Sequence, residues 1–387
     1  MRTKISLAAA MIAMAAPATL SAQIAVSAND GKQLRPGDAG RTADSVSVID
    51  LRSYPPRTIG TVAAPASMIG PPAAVAVARN SGFALVTAAQ RLTPAGAIEL
   101  SDQVSVIDLA RPDAPELVQT VQAGPGASGV AINRAGTLAL VVSTGDDMVS
   151  VFTISAKRLT PAGKIQLPAK ARPTDVAFLP DGKSAIVVAQ GAGQLMRLSV
   201  SGSTVALEGS TIATGVQPYG VSFSPDGRYA YNTNLQGNAL PAGTTPVRGQ
   251  ARIGTVTAVD LRSGAVTATE VGVTPEHLTL SRDGRYLAVV VHNGSGGAIG
   301  TPGYWPHGAL KVFGVRGATL TPIAETATGA WCQGATFSDD ARTILLQCAV
   351  DKDIEVYRFN GRTLARDEAA TLRFDARPGA IATANSR

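Results

Sequence analysis

A unit of roughly fifty residues recurs along this chain, and a repeat of that size admits few folds. One copy reads from Gln217 through Ser224-Pro225-Asp226-Gly227-Arg228-Tyr229-Ala230-Tyr231-Asn232-Thr233-Asn234, and residues 256–261 and 266–269 complete it. Further copies occupy 173–188 and 275–291, and another spans 131–142 with its Arg134-Ala135-Gly136 turn. Each unit holds four short runs rich in β-branched and apolar residues, separated by Gly, Pro, Asp or Asn. That pattern predicts a four-stranded antiparallel meander. The Asp-Gly pair between the first two runs marks a tight turn, because Gly accepts the positive φ that such turns need.

A single meander cannot bury both of its faces. Units packed radially bury one another, so the expected fold is all-β, a β-propeller. Innermost strands are expected near 73–79, 128–134, 174–180, 219–225, 277–283, 333–339 and 378–384, which makes seven blades. Only three residues follow the last of these, so its partners must lie at the other end of the chain, at 24–27, 46–51 and 58–62. One blade built from both termini closes the ring and leaves no open sheet edge. Residues 23–387 then form a single domain.

The turn segment 224–234 and the strand Val46-Ser47-Val48-Ile49-Asp50-Leu51, repeated at Val104-Ser105-Val106-Ile107-Asp108-Leu109, resemble the YVTN-repeat propeller family. More distantly they resemble the seven-bladed lactonases of 6-phosphogluconolactonase type. The likeness covers essentially the whole chain after residue 22. Its motifs build turns and blade cores, so they specify fold far better than function. The heavy subunit of amine dehydrogenases shares the architecture, with no motif here pointing to it in particular.

Residues 1–22 have the three parts of a secretory signal peptide: Arg2 and Lys4, an apolar run from Ile5 to Ala16, and small residues at Ser21 and Ala22 before Gln23. The expected compartment is therefore the periplasm or the exterior. No later segment is apolar for long enough to predict a membrane span. Net charge is +6, or +4 without Arg2 and Lys4, too mild to propose a nucleic-acid partner. At 45% hydrophobic and 16% charged, the chain is too apolar for disorder. No haem-attachment, nucleotide-binding or nucleophile-elbow motif is present, and no cofactor is evident.

Turn residues Gly82, Gly136, Gly182, Gly227, Gly284 and Ala341 mark the period, with unequal spacings of 54, 46, 45, 57 and 57. The excess falls in connections 90–102, 235–253, 293–308 and 29–44, all expected on one face, here called the top. Long loops on one face suggest a binding mouth, or else tolerated insertions. All three histidines, His277, His292 and His307, fall in one blade near that face. They are weak metal candidates, since no spacing fixes them on one surface. The starts of the inner strands line the expected channel mouth, giving ligand candidates Thr174, Asp175, Tyr219, Glu276, His277, His292, Gln333 and Arg377. Tyr304, Trp305 and Trp331 add rare aromatics, with covering the core ends as the plainer role of Tyr219 and Trp331. Lactonases of this type open a lactone with an acidic base and cationic groups, parts that Glu276, His277 and Arg172 match by position alone.

Cys332 and Cys348 flank one hairpin, and folding about the turn at Asp339-Asp340-Ala341 brings them opposite or nearly so. In an oxidising compartment a disulfide is the natural expectation, and two buried thiols the alternative. The expected function is binding of a small molecule or a protein partner at the top face. Lactone hydrolysis and a partner role in a redox enzyme are the alternatives.

Overall fold

A computed structural model describes residues 23–67, 72–80, 82–236, 253–300 and 304–384. The signal-peptide expectation and most of the 235–253 loop lie outside these residues. Seven antiparallel sheets form a seven-bladed propeller, each ordered from inner to outer strand along the chain except the first. That blade pairs Arg377–Thr383 from the C-terminus with Ile24–Asp30, followed by Ser45–Asp50 and Arg57–Ala63. Ala25 lies opposite Thr383 and Ser27 opposite Ile381, so the ring closes as the repeat count requires. The remaining inner strands are Val75–Val77, Ala127–Ile132, Pro173–Phe178, Pro218–Phe223, Pro275–Leu280 and Cys332–Phe337, which start blades two to seven. Among the described residues no helix is long and apolar enough to cross a membrane.

Apolar burial explains why the units stand as blades. One hydrophobic cluster fills each of the seven interfaces between neighbours. Between blades four and five, for example, Ile186, Val188 and Leu195 meet Val221, Ala230 and Val259. Alternate residues of a strand face opposite neighbours, so the middle strands are buried on both sides. The turns joining first and second strands repeat one hydrogen-bonded device. Ser224 Oγ donates to Asp226 at 2.5 Å, and Ser281 to Asp283 at 2.7 Å. Gly227 takes φ +68°, and Ala341 holds the same place at +57° without glycine's freedom. These short turns form the bottom face, and the long connections form the top.

Cys332 and Cys348 are direct cross-strand partners in blade seven and form a disulfide. The hairpin register that the sequence implies is the register observed.

Candidate functional site

The top ends of the inner strands share a local distortion. Ladders shift register between Ala127 and Val130, Pro173 and Asp175, Pro218 and Val221, Pro275 and His277, and Cys332 and Ala335. Each shift is a bulge that releases one or two residues from the ladder and re-aims them. The residue before each strand is also left-handed: Gly126, Arg172, Gln217, Thr274 and Trp331 have φ between +44° and +71°. Only the first is a glycine, and such conformations cost on the order of 1–3 kcal/mol each for other residues. Strain repeated at one level of the ring singles out the channel mouth.

Side chains at this level then link blade to blade. Thr87 Oγ1 donates to the Ser128 carbonyl, Ser128 Oγ to the Thr174 carbonyl at 3.2 Å, and Thr174 Oγ1 to the Tyr219 carbonyl at 2.9 Å. This relay stops at Tyr219. The next two positions carry Glu276 and Gln333. Glu276 Oε2 and Gln333 Oε1 are both withdrawn from solvent with no partner, and Gln333 is only 3% exposed. Burial pushes the Glu276 carboxyl up to about 8, against the opposing pull of Gln333. Burial, then the Glu276 charge, pushes the Tyr219 phenol well above its ordinary range. Tyr219 and Glu276, both weakly acidic, thus make a small recessed polar cluster with the Gln333 amide.

The other expected residues have different tasks. His277, 7% exposed, turns away from its neighbour Glu276, and its Nδ1 accepts the Ala335 N–H of blade seven at 3.1 Å. Asp175 holds the equivalent place in blade four and accepts the Val221 N–H of blade five at 3.0 Å. Both are struts between blades. Arg377 is 1% exposed, and its guanidinium donates to the carbonyls of Gln33, Ala349 and Val350 and to Asp38. It anchors ring closure, which corrects its expected place at the ligand mouth. Arg172 is exposed and lines a groove between blades four and five with Gln190, Thr214 and Gln217. Of the candidate trio Glu276, His277 and Arg172, the histidine is thus engaged with blade seven and the arginine lies in this groove.

The three histidines, weak metal candidates from the sequence, lie apart from one another in role. Among the described residues the histidines join no group of three ligands. His292 is ringed by backbone, with the N–H groups of Gly294 and Gly296 at 2.9 and 3.1 Å from its nitrogens. Burial and then Arg35 push it down to about 4. His307 lies beside the exposed Trp305.

The 29–44 connection, grouped from sequence with the long loops of a binding mouth, is a clasp. Arg35 reaches over to blade six, donating to Gly296 O at 2.6 Å and packing on Trp331, 4.9 Å from the ring centre. Trp331 is therefore a cover, as its plainer reading has it. Asp38, within the clasp, binds Lys352 and Arg377.

No family model and no curated protein matches the sequence. Among solved structures, the chain is similar to the periplasmic gluconolactonase of Pseudomonas aeruginosa, with 14% identity and a TM-score of 0.68 over 94% of this chain and 99% of that one. It is similar to a Bacteroides uniformis protein provisionally assigned as a 6-phosphogluconolactonase, with 16% identity and a TM-score of 0.69 over 93% and 99%. It is also similar to the dihydro-heme d1 dehydrogenase NirN in complex with DHE, with 15% identity and a TM-score of 0.57 over 94% and 76%. At these identities the likeness is one of fold alone.

Proposed function

We propose that the chain is an exported, periplasmic propeller that binds a small polar molecule at the top mouth of its channel. Tyr219, Glu276 and Gln333 are the contacting groups. One observation carries this reading: the relay of hydroxyl-to-carbonyl bonds stops where two withdrawn side-chain oxygens, on Glu276 and Gln333, lack a partner. Buried polar atoms are ordinarily satisfied, and a ligand offering donors would satisfy these. Thr174 and Asp175 then act as supports that fix the adjoining strands.

Lactone hydrolysis is the second reading, favoured by the Glu276 carboxyl at about 8. A carboxyl protonated at neutral pH can donate to a lactone oxygen as a general acid. The gluconolactonase likeness agrees with that chemistry without assigning it.

The test is calorimetry of the mature protein against sugar lactones and their acids, with hydrolysis followed by acid release. Binding weakened at least tenfold by Glu276→Gln, about 1.4 kcal/mol, supports the site. Turnover that falls above pH 8 and vanishes in the same variant supports the hydrolase. A ligand whose affinity is indifferent to Glu276→Gln and Gln333→Leu overturns both.

A further inference from the structure

The opposite end of the channel carries a second constellation that no expectation from sequence used. A cavity of about 290 Å³ opens among the bottom ends of the inner strands. Phe178, Phe223 and Leu280 line its wall, and Arg79, Arg134 and Arg282 stand at its rim. Leu280 and Phe178 are buried, while all three arginines are exposed.

The arginines follow the inner strands of blades two, three and six, at the turn position held by Pro180 and Pro225 in blades four and five. A repeat position on the innermost strand converges around the ring axis, so residues far apart in sequence meet there. Arg282 pairs with Asp339 at 3.1 Å. Arg79 and Arg134 form no ion pair with the described acidic residues. Desolvation, then the positive charges of Arg134 and Arg282, pull Arg79 below its ordinary value. Mutual repulsion of this kind is relieved by a bound anion, and guanidinium groups suit a carboxylate or phosphate.

We infer that the bottom mouth is a second binding site, taking a small amphipathic anion with its apolar part against Phe178, Phe223 and Leu280 and its charge among the three arginines. The volume sits at the small end of ligand pockets, so the ligand is a compact monoanion rather than a polymer. Apolar wall and cationic rim act together, and neither a bare ion nor a neutral tail meets both. This site shares no residue with the Glu276 cluster and stands or falls independently of it.

Octanoate is the probe, titrated by calorimetry into the whole mature protein, with inorganic phosphate and octanol as head-only and tail-only comparisons. Saturable binding of one octanoate is expected, at least tenfold tighter than either comparison. The double substitution Arg79→Gln with Arg134→Gln should weaken it at least tenfold, and both side chains are exposed enough to leave the fold intact. Raising the ionic strength should weaken octanoate binding to the unaltered protein by screening. Absence of saturable binding overturns the inference. So does phosphate binding as tightly as octanoate, affinity unmoved by the double substitution, or affinity lost in Glu276→Gln, which moves the site to the other end.

Discussion

His277 Nδ1 accepts the backbone N–H of Ala335 from the adjacent blade at 3.1 Å, so a histidine at the channel mouth works as an inter-blade strut. Asp175 and Val221 repeat that relationship two blades earlier, at 3.0 Å. Removing the acceptor leaves a buried N–H without its partner, a loss of about 1–3 kcal/mol.

His277→Ala should therefore lower the denaturation midpoint clearly, while Glu276→Gln next door should weaken ligand binding. Chemical denaturation of both variants checks this. Melting of His277→Ala indistinguishable from the parent, with loss of ligand affinity, would return the histidine to the binding site.

The disulfide gives the second prediction. Cys332 and Cys348 bridge directly opposed positions, so the protein should show no titratable thiol when denatured without reductant and two after reduction. Closing a segment of this length restricts the unfolded chain by about 3 kcal/mol. A Cys332→Ser, Cys348→Ser double variant should lose stability of that order. Two thiols before reductant would contradict the bridge and weaken the case for export.

Ring closure gives the third. The strand Arg377–Thr383 supplies the inner edge of blade one, paired with Ile24–Asp30 from the other end of the chain. Deleting 378–387 should yield insoluble or strongly destabilised protein, because two blades then meet an unpaired edge. A truncated chain that melts like the parent would sink the closure.

What was legible in the sequence follows from where the information lay. Blade number, closure and the Cys332–Cys348 pairing depend on period and hairpin register, both local and repeated. The fates of Glu276 and His277 were not legible, since a bulge between Pro275 and His277 decides them and no residue there announces it. Nor was the clasp, which joins Arg35 to Gly296 across 261 residues and turns an apparent rim loop into a tie. Arg377 looked like a mouth residue because its position before a proline matches Arg172. One is buried under the clasp and the other lies in a rim groove. The bottom arginines were visible at one repeat position, but turns that repeat so regularly read as inert.

The clasp gives the fourth prediction. Arg377 donates to three carbonyls and to Asp38 while almost wholly buried. Arg377→Met removes those donors and leaves Asp38 only Lys352 and the Arg35 N–H, and breaking a buried pair costs up to about 3–5 kcal/mol. Asp38→Asn should cost less, because the three carbonyl contacts persist. Urea midpoints of the two variants rank them. Equal losses would show that the carbonyl contacts add nothing.

Stability against pH gives the last prediction, because the acids divide into two windows of opposite sign. Burial would raise Asp38, but hydrogen bonds from Lys352, the Arg35 backbone and Arg377 outweigh it and hold the carboxyl at about 2. A depressed acid stabilises the fold above its unfolded value and loses that contribution as pH falls toward 2. Asp353 behaves in the reverse way. Burial, then the charges of Glu355 and Asp351, push it up to about 7, and burial pushes Glu276 up to about 8. A raised acid binds its proton more tightly when folded, so its contribution is complete below the unfolded value and is lost as pH rises through 7 and 8. The melting temperature should therefore climb from pH 2 to about 4, then decline toward pH 8. Asp353→Asn should flatten much of the alkaline decline, because the amide has no proton to lose, and adding Glu276→Gln should flatten the rest. Asp38→Asn should instead flatten the acid limb. A melting temperature that rises between pH 5 and 8, or a decline unchanged in the double variant, would show that these buried carboxyls do not set the profile.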